Sequence, residues 1–379
     1  ITGVKAYLNE EKKENASLAL LGELDALRIP EHAYVNPETD AAHCCGHHAQ
    51  MAGIFGAALA LTVPEIAEKL GGQVVFFATP AEEYGEIEFK NQLREQGKIR
   101  YGGGKCELIR TGAFDDIDLC LAHHIRPGDE IQVGSGTGNG FVSKVIRYLG
   151  KAAHAAGAPD KGVNALSAAS LGLQALGLNR ETFRDEDCVR VHPIITKGGN
   201  LVNVIPDEIV IETLVRARTI EAFTDAAKKT DRSFQAGAVA MGAKVEITTL
   251  PGYLPTLAEQ ALPELKRAAE LAAPEVPVRE AAGHSGGSTD VGDVQHLMPV
   301  YTFNTGGVKG GLHQINFEVT NEEEAYIDTA KMFALAAYGL LKEKAARSKE
   351  LVKNYKPVFK DSAEYTKFME QFDSKEVLD

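Results

Sequence analysis

The densest group of reactive side chains in this 379-residue chain is His43-Cys44-Cys45-Gly46-His47-His48. Thiolate is a soft metal ligand and imidazole a borderline one, so this set suits zinc and its neighbours. The Cys45-x-His47 spacing puts two donors on one short loop. Met51, Ile54, Phe55, Ala58 and Leu59 follow a 3.6-residue period, which predicts a helix beginning near Ala49. The cysteines therefore precede a helix N-terminus, where the dipole favours a thiolate. A second group is Glu82-Glu83, after Thr79-Pro80-Ala81. Adjacent carboxylates at a strand end point different ways, so one can bind metal while the other moves a proton. His123-His124 closes another apolar run, and alternation along a strand lets one of the two face a site. His313 lies in Gly311-Leu312-His313. Taken singly, a Glu-Glu pair is most often a solvated turn and a strand-end His most often structural.

The elements that must position these groups are short apolar runs alternating with helical text, the pattern of an α/β fold. The runs are residues 18–21, 74–77, 119–122 and 300–303. Three of them lead directly into Glu23 and Asp25, Glu82 and Glu83, and His123 and His124; the fourth leads through Asn304 and a glycine-rich loop to His313. In open α/β sheets ligands bind beyond the carboxyl ends of the strands, so these residues can converge on one rim. A late helix is predicted from the capping-box pattern Thr320-x-x-Glu323 through Ile327, Ala330, Ala334, Ala337 and Leu341, with charged helix and tail beyond.

The middle of the chain has a different rhythm. A strand around 142–148 precedes a helix over 165–178. Strands over 189–195 and 209–215, a helix over 220–241 and a strand over 244–249 follow. This βαββαβ order is that of a ferredoxin-like unit. The expected organisation is a catalytic domain built from residues 1–140 and 250–379, with a domain of residues 141–249 inserted into it. The glycine-rich run 134–140 is expected to be a flexible linker, because strand-like text follows it where a dinucleotide loop requires a helix. Gly102-Gly103-Gly104-Lys105 lacks the following Ser or Thr of a phosphate loop.

Composition narrows the function classes. Hydrophobic residues make up 44 % and charged residues 25 %, as in ordinary globular proteins. The 40 Lys and Arg against 53 Asp and Glu give a net charge of −13, with no dense basic run, which argues against nucleic acid as a partner. No apolar stretch is long enough to span a membrane. Five cysteines without disulfide-like spacing imply reduced thiols and a cytoplasmic setting. The chain opens on Ile1 and directly on strand-like text, so further N-terminal residues are expected to precede this numbering.

With these motifs in view, the chain resembles the aminoacylase and glutamate-carboxypeptidase family of metal-dependent amidohydrolases. It most resembles the branch of p-aminobenzoyl-glutamate hydrolases, indole-acetyl-amino-acid hydrolases and N-acyl amino acid hydrolases. The resemblance is carried in order by Glu23-Leu24-Asp25-Ala26-Leu27, His43-Cys44-Cys45-Gly46-His47, Pro80-Ala81-Glu82-Glu83 and Ala122-His123-His124. It continues through Gly150-Lys151-Ala152-Ala153-His154-Ala155, Asn203-Val204-Ile205-Pro206, Thr289-Asp290-Val291-Gly292-Asp293 and Leu312-His313. It implies a zinc-peptidase-like α/β/α catalytic domain with an inserted ferredoxin-like lid that makes a homodimer. It also implies one or two divalent ions, zinc or manganese, held by Cys45, His47, Glu83, His124 and His313. Glu82 would be the general base, and His154 would polarise the scissile carbonyl across the dimer interface. Asn203 and Arg216 would hold a substrate carboxylate. The implied reaction is hydrolysis of an amide bond in N-acyl amino acids, aminobenzoyl-glutamate-like conjugates or dipeptides. Two positions depart from the family: Glu23-Leu24-Asp25 stands where Asp-Met-Asp is usual, and His48 where Asp is usual.

Two other chemistries compete. A hydrolase with Cys44 or Cys45 as nucleophile and His47 as base lacks an evident orienting group and leaves Glu82-Glu83 unexplained. A non-catalytic metal- or peptide-binding relative would have no need of Glu82.

Overall fold

The computed structural model describes residues 2–379. The four apolar runs become the strands Ser17–Glu23, Gln73–Thr79, Leu119–Ile125 and Val300–Thr305. They are the inner strands of a seven-stranded sheet, in the order Val4–Leu8, Gln73–Thr79, Ser17–Glu23, Leu119–Ile125, Val300–Thr305, Ile131–Val133, Val278–Glu280. The four pair in parallel with one another, while Val4–Leu8 closes one edge antiparallel. Every residue of Ser17–Glu23 is buried, which is why its sequence is a continuous apolar run rather than an alternation. On one face the helices His47–Leu61, Pro263–Ala272 and Thr329–Asn354 cover the sheet with Ile54, Ala57, Leu265, Ala269, Met332 and Phe333. No helix among the described residues is long and apolar enough to cross a membrane.

The inserted segment forms a second sheet. Its order is Arg190–Val191, Glu208–Ala217, Gly140–Leu149, Lys244–Pro251, Ser374–Leu378, with Ile194–Lys197 also paired to Glu208–Ala217. The helices Ala165–Asn179 and Ile220–Met241 pack against each other and on this sheet, each started by a side-chain cap from Asn164 or Thr219. The βαββαβ order read along the chain is therefore the order of the structure.

Three local expectations differ. The run 134–140 is not a free linker: Thr137–Gly138 pairs with His284–Ser285, and a Cβ at Gly140 would lie 2.7 Å from the Tyr253 carbonyl oxygen. The glycines there allow close backbone approach at the junction between the two sheets. The late helix does not use Thr320 as its cap. Asn321 accepts from the Glu324 amide at 3.3 Å, and a π-helical turn Glu323–Asp328 follows; the helical stretch then ends at Leu341 as expected, because Lys342–Ala345 leave helical geometry, with Glu343, Lys344 and Ala345 at positive φ, before a second stretch runs on to Asn354. Finally, the C-terminal charged text is not a tail. Ser362–Met369 is helical, and Ser374–Leu378 crosses over to pair antiparallel with Lys244–Pro251 of the inserted sheet. The segment is bolted down by Tyr365, whose hydroxyl donates to Asp293 at 2.8 Å, and by the Arg94–Asp373 ion pair at 2.6 Å.

Candidate metal centre and active site

The carboxyl ends of the parallel strands deliver the reactive groups to one rim. Glu23 ends Ser17–Glu23, Glu82 and Glu83 follow Gln73–Thr79, and His124 lies at the end of Leu119–Ile125. Cys45 and His47 arrive on the loop that opens the helix His47–Leu61. Between them Gly46 has φ +83°, and a Cβ there would fall 2.1 Å from Ile125 Cγ2. Only glycine permits that turn, so the Cys-Gly-His order is set by backbone geometry as well as by ligation. His313, also at positive φ, is held by its amide donating to the Cys44 carbonyl at 2.8 Å.

All five expected metal ligands meet. Cys45, His47 and His124 bring their donor atoms within 4.8 Å of one another, and Cys45, Glu83 and His313 do the same. The Cys45 sulfur lies 3.4 Å from His124 Nε2 and 3.1 Å from His313 Nε2, while His313 Nε2 is 2.9 Å from Glu83 Oε1. The thiol is thus common to two adjacent donor triads. The ring orientations suit ligation through Nε2. His47 Nδ1 donates to the Asp25 carbonyl at 3.0 Å, and His124 Nδ1 to the Ile125 carbonyl at 2.8 Å. His47 Nε2 is buried with no hydrogen-bond partner. A buried imidazole nitrogen aimed at a thiol, a second imidazole and carboxylates fits a divalent cation.

The charges follow from this crowding. Burial first, then Glu83, Glu82 and Glu23, push the Cys45 thiol upward. Burial would lower His47, but Glu23, Asp25 and Glu82 carry it up to about 10. Burial, Glu23 and Asp290 push Glu82 well above the usual carboxylate range. A site that holds extra protons on a thiol, an imidazole and a carboxyl is one that a divalent cation would relieve.

Beneath these groups lies a layer that the motifs did not reveal. Lys105 Nζ sits 2.6 Å from Glu23 Oε1 and 2.6 Å from Asp290 Oδ1, and its backbone amide donates to Asp290 Oδ2 at 2.8 Å. Lys105 and Asp290 are fully buried. Burial would raise Glu23, but Lys105 and His47 hold it down at about 2. Removing one partner of such a buried ionic group leaves uncompensated charge. Lys105→Met is therefore expected to cost about 3–5 kcal/mol of stability, measured as a fall in the denaturant midpoint of the metal-free protein. Lys90 is a second cation near the site, half-buried: its Nζ donates to the Glu83 carbonyl at 2.8 Å and lies over the Tyr84 ring. Burial pulls it below the usual lysine range.

The three residues expected to contact substrate lie in the segment that forms the second sheet and its helices. His154 is exposed and bridges in strand fashion to Val204, next to Asn203. Its Nδ1 accepts from the amides of Ala156 and Gly157 at 3.3 and 3.0 Å, which leaves Nε2–H facing outward. Arg216 lies over the Phe141 ring, 5.6 Å from its centroid, and forms no ion pair among the described residues. His284 is a satisfied histidine, with Thr137 Oγ1 at 2.9 Å and Asn139 Oδ1 at 3.0 Å on its two ring nitrogens. His48 packs edge-on to Tyr326 and Phe317 rather than toward the ligands. Cys44 is fully buried and donates to the Ala42 carbonyl, which removes it as a nucleophile. A cleft of about 740 Å³ opens beside the centre, lined by Glu82, His124, Arg126, His284, Thr289 and Asn304. That is room for a small-molecule substrate.

Known proteins resemble this chain in sequence and in fold. Residues 19–338 match the model of Peptidase family M20/M25/M40. The Xaa-Arg dipeptidase of Mus musculus is 28 % identical over 325 residues, which cover 83 % of this chain and 67 % of that protein. The N-acetylcysteine deacetylase of Bacillus subtilis is 26 % identical over 345 residues, covering 88 % and 83 %. Among solved structures, a Bacillus subtilis protein described as a dinuclear metal-binding peptidase of the M20 family superposes with a TM-score of 0.59. It is 23 % identical, and the match covers 90 % of this chain and 85 % of that one.

Proposed function

From the premise that the chain belongs to Peptidase family M20/M25/M40, we propose that it hydrolyses the amide bond of an N-acyl amino acid or a related aminobenzoyl-glutamate-like conjugate, using one or two divalent ions, zinc or manganese. One observation carries this reading. Cys45 Sγ is shared by the triads Cys45–His47–His124 and Cys45–Glu83–His313, with the Glu82 carboxyl beside them on the rim of a substrate-sized cleft. Divalent ions bound there would polarise the scissile carbonyl and acidify an attacking water.

The protein's own groups do the rest. Glu82 takes a proton from the water as its oxygen bonds to the carbonyl carbon. It then delivers that proton to the amine nitrogen as the C–N bond breaks. His154 donates its outward Nε2–H to the developing oxyanion of a substrate bound in a partner subunit, joined through the inserted domains. Asn203 and Arg216 receive the substrate carboxylate, Arg216 through its paired N–H groups. The five cysteines are all free thiols, which supports a cytoplasmic setting. A dipeptidase is the second reading, favoured by the likeness to the mouse Xaa-Arg dipeptidase over 83 % of this chain.

A hydrolysis panel of N-acyl amino acids and dipeptides with metal-reconstituted protein tests both readings. A chelator is expected to abolish the hydrolysis and added zinc or manganese to restore it. Full activity in the presence of a chelator would instead indicate a cysteine nucleophile and sink the metal-dependent reading.

A further inference from the structure

The run Gly102-Gly103-Gly104 lacks phosphate-loop spacing, and in the fold it seats two phenols. A Cβ at Gly102 would lie 2.6 Å from Tyr84 Cζ, and one at Gly103 2.2 Å from Tyr253 Cε1. Each glycine thus gives one ring room to approach the backbone. The two phenols clasp each other's main chain. The Tyr253 hydroxyl donates to the Glu82 carbonyl, and the Tyr84 hydroxyl donates to the Pro251 carbonyl at 2.8 Å. Both rings are buried and stand edge to face, with centroids 5.5 Å apart and planes at 81°. Phe141 closes the cluster, 4.7 Å from Tyr253 and 5.1 Å from Tyr84.

The clasped segment carries the base. All three carbonyls of Ala81-Glu82-Glu83 are engaged: that of Ala81 by the Gly104 amide at 2.9 Å, that of Glu82 by Tyr253, and that of Glu83 by Lys90 Nζ at 2.8 Å. The Glu83 amide donates to Asp25 Oδ2 at 2.8 Å. Ala81 itself sits at φ +54°, in the left-handed region that a residue with a Cβ rarely adopts. Such backbone persists only where its surroundings over-determine it. The Cα of Glu82 is therefore fixed before a substrate arrives. We propose that Tyr253, with Tyr84 as its counterpart in the clasp, is a positioning residue for Glu82, aiming the carboxylate at the attacking water through the Glu82 main chain. This rests on the reading of Glu82 as the base. Tyr253 stands two residues beyond Pro251, which ends the strand Lys244–Pro251. The aim of the base is thus set from the second sheet as well as from the strand Gln73–Thr79 that precedes it.

The test is Tyr253→Phe, which keeps the ring in its glycine seat and removes only the hydroxyl. kcat, KM and bound metal are measured on the metal-reconstituted protein, with thermal unfolding as the check on folding. kcat is expected to fall about 10- to 100-fold, with KM and metal content unchanged. In the Glu82→Gln background the same substitution is expected to cost nothing further, because a positioning residue has no effect once the group it positions is gone. Tyr84→Phe removes the other half of the clasp and should lower kcat about 2- to 10-fold, again only while Glu82 is present. It decides the case if Tyr253→Phe does not fold. Wild-type kcat in the folded variant would overturn the inference. So would a loss of metal in step with kcat, or an equal loss in the Glu82→Gln background, which would leave Tyr253 a packing residue. Full activity of Glu82→Gln alone would overturn the base reading itself, whatever the tyrosine variants do.

Discussion

Glu82→Gln should retain its metal while turnover falls by about 10²- to 10⁴-fold. The side chains are nearly isosteric, so the cleft and the layer below it keep their shape. Glu82 belongs to neither triad built on Cys45, and its nearest approach to His47 Nε2, 4.0 Å, is longer than that of Glu23. Losing its charge therefore should not release an ion. The amide oxygen of Gln, however, is far too weak a base to take a proton from water, and it has no proton to return to the amine. The acidic limb of the pH–rate profile, set by ionisation of Glu82, should disappear with it. Paired measurements of metal content and kcat decide the point. Full activity would remove Glu82 as the base, and loss of metal would make it a ligand instead.

The parts of this site that could be read along the chain share one property: their signal is local. Burial on both faces makes the Ser17–Glu23 strand a continuous apolar run, and an apolar run that ends in Glu23, in Glu82-Glu83 or in His123-His124 is visible without a fold. The Cys-Gly-His turn is equally local, since the same three residues supply two donors and the glycine at φ +83°. What escaped depends on pairing at long range. Lys105 meets Asp290 across 185 residues, and nothing near Gly102-Gly103-Gly104 announces a buried ammonium. Its lack of phosphate-loop spacing says what the run is not, but not which carboxylates it serves. Ser374–Leu378 is exposed along most of its length, so its strand character comes from the partner Lys244–Pro251 and not from its own pattern. Gly134, Gly136 and Gly140 have the composition of a linker and are in fact contact points, because glycine serves close approach as well as freedom.

Cys45→Ala and His313→Ala should differ in kind. Cys45 is the one donor common to both ligand triads. Its removal takes a soft ligand from each position at once and opens a gap between His124 and His313, which lie 3.4 and 3.1 Å from the missing sulfur. Metal content should fall close to zero. His313→Ala leaves Cys45, His47 and His124 in place, with the Nε2 atoms of both imidazoles still presented by backbone carbonyls on their Nδ1 sides. That protein should keep one ion and lose the other, and hydrolysis should fail with the second position. Elemental analysis after exhaustive dialysis separates the cases. Equal losses in the two variants would mean that Cys45 is not shared, and unchanged metal in His313→Ala would strike it from the ligands. The contrast also bears on the Cys45 thiol itself. Burial and three neighbouring carboxylates hold its proton on, so ion uptake must release it, and the affinity of both positions should rise with pH. In Cys45→Ala that thiol contribution to the pH dependence should vanish, leaving His47 as the main proton that an entering ion still has to displace.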